Sequence, residues 1–353
     1  MPIAQRLQKL CQKLLEKELD ALLVSQVENC RYLSGFTGSS GILVVWPDSA
    51  VLAASSVDFE QAKAEAAGLE VVLLKSRQQR LAELMGGRKA KRVGFEAHSL
   101  SFAETHRLME ESEKLQMELV PTEGLVESLR MAKEEEEVRC LAKAAGIADR
   151  ALEYIVREVR PGMTEKEAAW LIEEFLRQNG SESIPFDIIV ASGPNSAMPH
   201  ARPTERIISA GEPIVVDLGA RVDGYSSDLS RTLCLGARGE TFRRICALVL
   251  QAQLSALEGV KAGMTGEQAD GLARKAIQQA GYGDAFGHGL GHGIGLAVHE
   301  APRLGPNSTD ILVKQMVFTL EPGVYLPGWG GVRIEDTVIL DRDGVTALTK
   351  AGK

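Results

Sequence analysis

No stretch of this sequence approaches the roughly 18 consecutive apolar residues of a membrane-spanning helix. Its first segment, MPIAQRLQKLCQKLLEKELD, has neither an uninterrupted apolar core nor a cleavage site of the kind a secretory leader carries. A cytoplasmic protein with no membrane partner is therefore expected. Positive charge is also in deficit: 40 Lys and Arg face 48 Asp and Glu, for a net charge of -8. With no basic patch to neutralise phosphates, nucleic acid is excluded as an expected partner. Five cysteines (Cys11, Cys30, Cys140, Cys234, Cys246) are odd in number, widely spaced and never in a CxxC pair. That spacing speaks against a disulfide framework or a zinc knuckle and leaves buried thiols as the reading.

Histidine is scarce as well, yet three of the six fall in residues 286–300, FGHGLGHGIGLAVHE, together with five glycines. Glycine on both sides of His288 and His292 is expected to remove side chains that would hold a ligand off. Imidazoles in so open a stretch serve as metal ligands, as acids or bases, or as core residues satisfied by backbone, and the stretch alone does not choose among these.

A chain of 353 residues, at about 150 per domain, favours two domains. Ile3, Leu7, Leu10, Leu14 and Leu15 recur at helical spacing, and the apolar runs at 21–25, 41–46, 51–55, 70–74, 92–96 and 116–120 read as strands. Residues 58–67 and 101–112 read as helices, the second capped by Ser101. Residues 1–125 are thus expected to form an alternating α/β domain. Its loop RYLSGFTGSSG, 31–41, is open to two readings: a glycine turn between strands, or an exposed aromatic loop serving a neighbouring site. A boundary is placed within 121–132, ahead of KEEEEVRCLAKAAGIADRALEYIVREV, a long helix whose acidic first turns are expected to be solvated and to suit the helix dipole.

Residues 132–353 contain an internal repeat. VRPGMTEKEAAWLIEEFLRQNG (159–180) matches VKAGMTGEQADGLARKAIQQAG (260–281) at an offset of 101, with eight of 22 positions identical. Each copy has GMT followed by a capping box, Thr164 with Glu167 and Thr265 with Gln268. Two copies of one unit imply a pseudo-twofold domain with its site where the halves meet.

Four acidic residues make sense as partners for the histidines. Asp217 and Asp228 flank a turn signal in PIVVDLGARVDGYSSDLSRT; folding back at Val222 and Asp223 would set them opposite one another. Glu321 and Glu335 flank a second, centred near Gly328, in LEPGVYLPGWGGVRIEDTVI. Four carboxylates in one pocket cannot all ionise unless cations compensate, and an oxygen-rich set with one imidazole suits manganese, cobalt, iron or zinc.

The ordered set Asp217, Asp228, His292, Glu321 and Glu335, with spacings of 11, 64, 29 and 14, resembles the two-metal site of the Xaa-Pro peptidase branch of the methionine aminopeptidase superfamily, peptidase family M24. IPFDIIVASGPNSAMPH, VDLGARVDGYSSDLSRT, FGHGLGHGIGLAVHE and LEPGVYLPGWGGVRIED all carry the resemblance. It implies an α/β chain in which a creatinase-type N-terminal domain precedes a pita-bread, pseudo-twofold α+β catalytic domain. It further implies two divalent ions, manganese or cobalt ahead of zinc or iron. Asp217 would chelate one, Asp228 and Glu335 would bridge both, and His292 with Glu321 would complete the second. By the same resemblance His200 binds substrate, His299 stabilises the tetrahedral intermediate, Glu321 shuttles a proton, and Arg303 and Arg333 lie near the site, while His288 is structural or supports a neighbour. The expected substrates are small peptides with proline in second position, and the expected assembly is a homodimer. Arg303 is open to three roles: clamping a dipeptide carboxylate, orienting His299, or pairing with Glu300. Xaa-Pro dipeptidase is the leading expectation, aminopeptidase P the alternative, and a metal-free binding homologue the reading from another class.

Overall fold

Fully buried apolar runs such as ALLV and ILVVW read as strands covered on both faces, and they build the central sheet of the first half. The computed structural model describes residues 3–75, 80–85 and 87–353 and divides into two compact units, Met1–Arg130 and Met131–Lys353. In the first, β1 (Ala21–Val24), β2 (Ile42–Trp46), β3 (Ser49–Ala54), β4 (Glu70–Leu73), β5 (Arg92–Glu96) and β6 (Glu118–Thr122) form one mixed sheet in the order β4-β3-β2-β1-β5-β6. Helices α1 (Ile3–Glu16), α2 (Val27–Ser34), α3 (Phe59–Glu65), α4 (Arg80–Met85), α5 (Phe102–Leu115) and α6 (Glu127–Arg130) alternate with the strands. Ser101 caps α5 through a full capping box with Glu104.

Neither reading of residues 31–41 holds. Arg31 to Ser34 finish α2, a helix that has no side-chain N-cap to announce it. Tyr32 is 2% exposed and Phe36 0%, so both aromatics belong to the core. A Cβ at Gly38 or Gly41 would lie 2.2 or 2.8 Å from the Phe36 ring, so these glycines make room for that ring. The cysteines also differ from expectation, since Cys30 is buried while the other four are half-buried.

The second unit repeats one plan twice. Its first half holds α7 (Glu135–Glu158), α8 (Glu165–Gln178) and a sheet ordered β11 (Leu229–Leu233), β8 (Ile214–Leu218), β7 (Ile189–Ser192), with the small hairpin β9 (Arg221–Val222) and β10 (Tyr225–Ser226) between. Its second half holds α9 (Glu240–Gly259), α10 (Gly266–Gln279) and a sheet ordered β13 (Glu300–Leu304), β12 (Gly291–Gly293), β14 (Val317–Leu320), β17 (Asp336–Leu340), β18 (Val345–Ala347). The hairpin β15 (Gly323–Leu326) and β16 (Gly330–Arg333) joins β14 to β17. Both capping boxes form, and their threonines bridge Ile207 and Ile311 in turn. The Gly162 N–H donates to Ile208 at 3.0 Å, as the Gly263 N–H does to Leu312 at 2.8 Å. One departure lies in the acidic run: Glu137 is 3% exposed, reaches back to cap α7, and accepts the Tyr225 hydroxyl at 2.9 Å. Part of that run is therefore a buried tie, not a solvated turn.

Candidate active site

Two hairpins and one short strand bring the acidic residues together. In the first hairpin the turn falls at Asp223 and Gly224, both at positive φ (49° and 79°), one residue beyond the expected position. Asp217 therefore faces Ser230 across the ladder, and Asp228 lies diagonally on the same face, not directly opposite. The second hairpin is centred at Gly328, as its turn signal suggests. Leu320 pairs with Asp336 and Gly323 with Arg333, so Glu321 and Glu335 sit in a break between two ladders. There the Glu321 N–H donates to Leu290 and the Glu335 N–H to Ser230 of the first hairpin.

Oxygens of Asp217, Asp228 and Glu335 lie within 4.8 Å of one another. His292 approaches from β12, its Nε2 3.6 Å from Asp228 and 3.4 Å from Glu321. Its Nδ1 is 3.1 Å from the Gly293 carbonyl, which places the proton there and leaves Nε2 as the lone pair aimed at the carboxylates. The glycines flanking His292 do not clear a path for ligand, contrary to expectation, whereas Gly287 beside His288 has open space around it. A Cβ at Gly291 would lie 2.0 Å from the Thr319 carbonyl and one at Gly293 2.2 Å from that of Ala301, so they let neighbouring strands close on β12.

The donors fit divalent cations. Asp217 Oδ1 and Glu335 Oε1 are buried with no hydrogen-bond partner, an expensive condition for a carboxylate oxygen without an ion. The separations around His292 Nε2 are long for hydrogen bonds but suit donors sharing one ion with bonds of about 2.0–2.2 Å. Burial, then repulsion from Glu335 and Asp217, lifts Asp228 well above the usual carboxylate range. Burial, then Glu321 and Asp217, does the same to Glu335, and burial takes Glu321 to about 7 against the pull of Arg333. Arg333 supplies one positive charge against four carboxylates, so the cluster is still short of positive charge.

Around it lies a cavity of about 540 Å³, lined by these five residues and by His200, His288, His299, Arg303 and Arg333. Arg333 is buried, donating to Asp217 at 2.6 Å, to Ser230 at 2.8 Å, to Tyr325 at 2.9 Å and to the Pro199 carbonyl at 3.1 Å. His288 Nδ1 lies 2.8 Å from the Gly289 carbonyl, so its Nε2 accepts from the Tyr325 hydroxyl at 3.0 Å. Burial lowers the His288 pKa to about 4 and keeps the ring neutral in this chain. His200, His299 and Arg303 are exposed at the mouth. The His299 ring stands 4.3 Å from that of His292, and its pKa is lowered by desolvation and by the His292 and His200 rings. Glu300 is taken by Lys133 at 2.6 Å, and Arg303 instead donates to the Pro306 carbonyl at 3.2 Å.

Three supporting residues escaped the sequence reading. Thr319 donates to Glu321 at 3.0 Å and accepts the His292 N–H at 3.1 Å; Ser230 donates to Glu335 at 2.7 Å; Tyr325 links His288 to Arg333. Thr319 is two residues before Glu321 and Ser230 two after Asp228, so strand alternation from the candidate ligands is the signal that points to both.

Residues 139–342 match the profile of Metallopeptidase family M24, and residues 6–132 that of the Creatinase/Prolidase N-terminal domain. An Xaa-Pro dipeptidase of Pyrococcus furiosus is 37% identical over 347 residues, covering 98% of both chains. The structure of an Xaa-Pro dipeptidase from Bacillus anthracis superposes with a TM-score of 0.95 at 38% identity, over 99% of this chain and 98% of that one. An X-Pro aminopeptidase from Thermotoga maritima superposes with a TM-score of 0.91 at 36% identity, over 98% of both.

Proposed function

The chain belongs to metallopeptidase family M24, with a creatinase-type N-terminal domain ahead of a pita-bread domain, and on that premise we propose that it is an Xaa-Pro dipeptidase. The observation that carries the reading is the convergence of four carboxylates and His292 on one cavity, with two buried carboxylate oxygens lacking any other partner. Residues 132–353 would carry the chemistry and residues 1–125 serve as the accessory domain.

Asp217, Asp228, His292, Glu321 and Glu335 would hold two divalent ions, manganese or cobalt ahead of zinc or iron. When bound, such ions acidify a water for attack and polarise the scissile carbonyl. Asp217 is held by Arg333 and Glu335 by Ser230, so each presents its remaining oxygen in a set direction, while Thr319 fixes Glu321 Oε1, the oxygen nearest His292. Glu321 receives the proton of the attacking water at its carboxylate and delivers it to the proline nitrogen, a tertiary amide that has no N–H of its own. His299, neutral at pH 7, donates an N–H to the carbonyl oxygen as negative charge develops there. His200 holds the substrate in register. Arg303, at the mouth and not paired with Glu300, meets the free carboxylate of a dipeptide.

A second reading, cleavage of longer Xaa-Pro peptides, is favoured by the likeness to the Thermotoga maritima X-Pro aminopeptidase. Hydrolysis of Ala-Pro, Ala-Pro-Ala and Met-Ala-Ala by metal-stripped protein, with and without manganese, separates the two. Metal-dependent cleavage of Ala-Pro alone supports the dipeptidase, cleavage of Ala-Pro-Ala supports the aminopeptidase, and cleavage of neither removes the proposal. We place the enzyme in the cytoplasm as a homodimer. Among the described residues no helix is long and apolar enough to cross a membrane, and light scattering of the purified chain tests the dimer.

A further inference from the structure

Glu165 opens α8 and is 0% exposed. A carboxylate so placed is costly unless donors surround it. Its Oε1 accepts from the Ser192 N–H at 2.7 Å, the Ser192 hydroxyl at 2.9 Å and the Asn195 amide at 3.1 Å. Its Oε2 accepts from the Thr204 N–H at 3.0 Å, the Thr204 hydroxyl at 2.7 Å and the same Asn195 amide at 3.1 Å. One carboxylate thus closes both ends of residues 192–204, the segment that carries exposed His200 into the cavity wall. The middle of the segment is tied separately, by the Gly331 N–H to the Ser196 hydroxyl at 2.8 Å and by Arg333 to the Pro199 carbonyl.

The repeat supplies an internal control. At the position 101 residues later stands Gly266, which also opens its helix, and a Cβ there would lie 2.5 Å from the Ser308 hydroxyl oxygen. In that half the Arg303 carbonyl, 2.0 Å from such a Cβ, and Ser308 fill the space, and the Ser308 hydroxyl donates to that carbonyl at 2.6 Å. The same helix start and the same helix-to-loop bridge therefore form without a buried carboxylate at that position, although exposed Glu267 beside it accepts the Asn307 N–H at 3.1 Å. What distinguishes the first half is the loop that Glu165 gathers.

We propose that Glu165 is a positioning residue that fixes His200 against the substrate, an inference that rests on His200 binding substrate. In Glu165→Gln the amide nitrogen faces N–H donors, so one end of the loop loses its acceptor. The variant should raise the KM for Ala-Pro about tenfold, the equivalent of one lost hydrogen bond, while kcat stays within about twofold. Manganese binding by the stripped protein, read by calorimetry, should match wild type. His200→Ala should also raise KM, and the double variant should be no worse than His200→Ala alone, because Glu165 acts through that ring. If Glu165→Gln fails to fold, Thr204→Val removes a donor from the same knot and should shift KM in the same direction.

Unchanged KM in Glu165→Gln beside raised KM in His200→Ala overturns the proposal and leaves the role of His200 standing. Additive effects in the double variant, or lost manganese binding in Glu165→Gln, overturn it likewise. Unchanged KM in His200→Ala removes the reading on which it rests.

Discussion

Asp228→Asn should stabilise the metal-free protein while removing its capacity to bind both ions. Ligand oxygens of Asp217, Asp228 and Glu335 lie within 4.8 Å of one another, where each pair of full charges repels by about 3 kcal/mol at an effective dielectric of about 20. The protein escapes part of this by taking up protons, which is why Asp228 and Glu335 titrate high and Glu321 near 7. For a carboxyl whose folded pKa is raised, the cost is absent below its unfolded value near 4, grows as pH rises, and is complete above the folded value. Removing one charge should therefore add about 2 to 3 kcal/mol to metal-free stability at about pH 8 and less than about 1 at about pH 4.5. Urea unfolding of chelator-treated protein at both pH values measures the difference. Saturating manganese should reverse the order, because each of two ions at 100 times its dissociation constant adds about 2.7 kcal/mol, about 5.4 in all, to wild type and less to a variant that cannot bind both. An Asp228→Asn protein that is less stable than wild type at pH 8 without metal would refute the charge-deficit account.

Thr319→Val keeps the shape of a buried residue but takes the hydrogen bond from Glu321, and manganese affinity measured by calorimetry should fall about 10- to 100-fold. Arg303→Ala should raise the KM for Ala-Pro while leaving inhibition by Ala-Pro amide, which has no carboxylate, unchanged; equal losses for both would count against the carboxylate clamp. In the N-terminal unit, Phe36→Ala should cost about 3 to 5 kcal/mol in urea unfolding, since that ring is fully enclosed and Gly38 and Gly41 are shaped around it. Tyr225→Phe removes one of the donors to buried Glu137 and should cost about 1 to 3 kcal/mol by the same assay.

Strands β1 to β3 were legible because their apolar runs are continuous, while β6, ELVPT, starts two residues later than expected because Gln116 ends α5; the pseudo-twofold domain was legible because GMT and its capping boxes recur. Spacing also located both turn signals, since Gly and Asp report local backbone freedom. Register was less accessible: moving the first turn by one residue to Asp223 and Gly224 exchanges a facing aspartate pair for a diagonal one. The histidine stretch was singled out for a reason that proved incomplete. Its glycines at 291 and 293 admit neighbouring backbone, a long-range contact that no local pattern announces. Helix α2 lacked a cap to mark it, and the buried acids Glu137 and Glu165 look in sequence like any solvated helix start. Only packing shows that these two face hydroxyl and amide donors instead of water.

Five residues are proposed to hold two cations, both needed for hydrolysis. Titrating stripped protein with manganese, while counting bound ions per chain and following Ala-Pro cleavage, tests this directly. Two ions per chain with activity rising as both sites fill is the predicted result, together with loss of turnover in Asp228→Ala while its fold is kept. Full activity without metal, or near-wild-type turnover by Asp228→Ala, would contradict it.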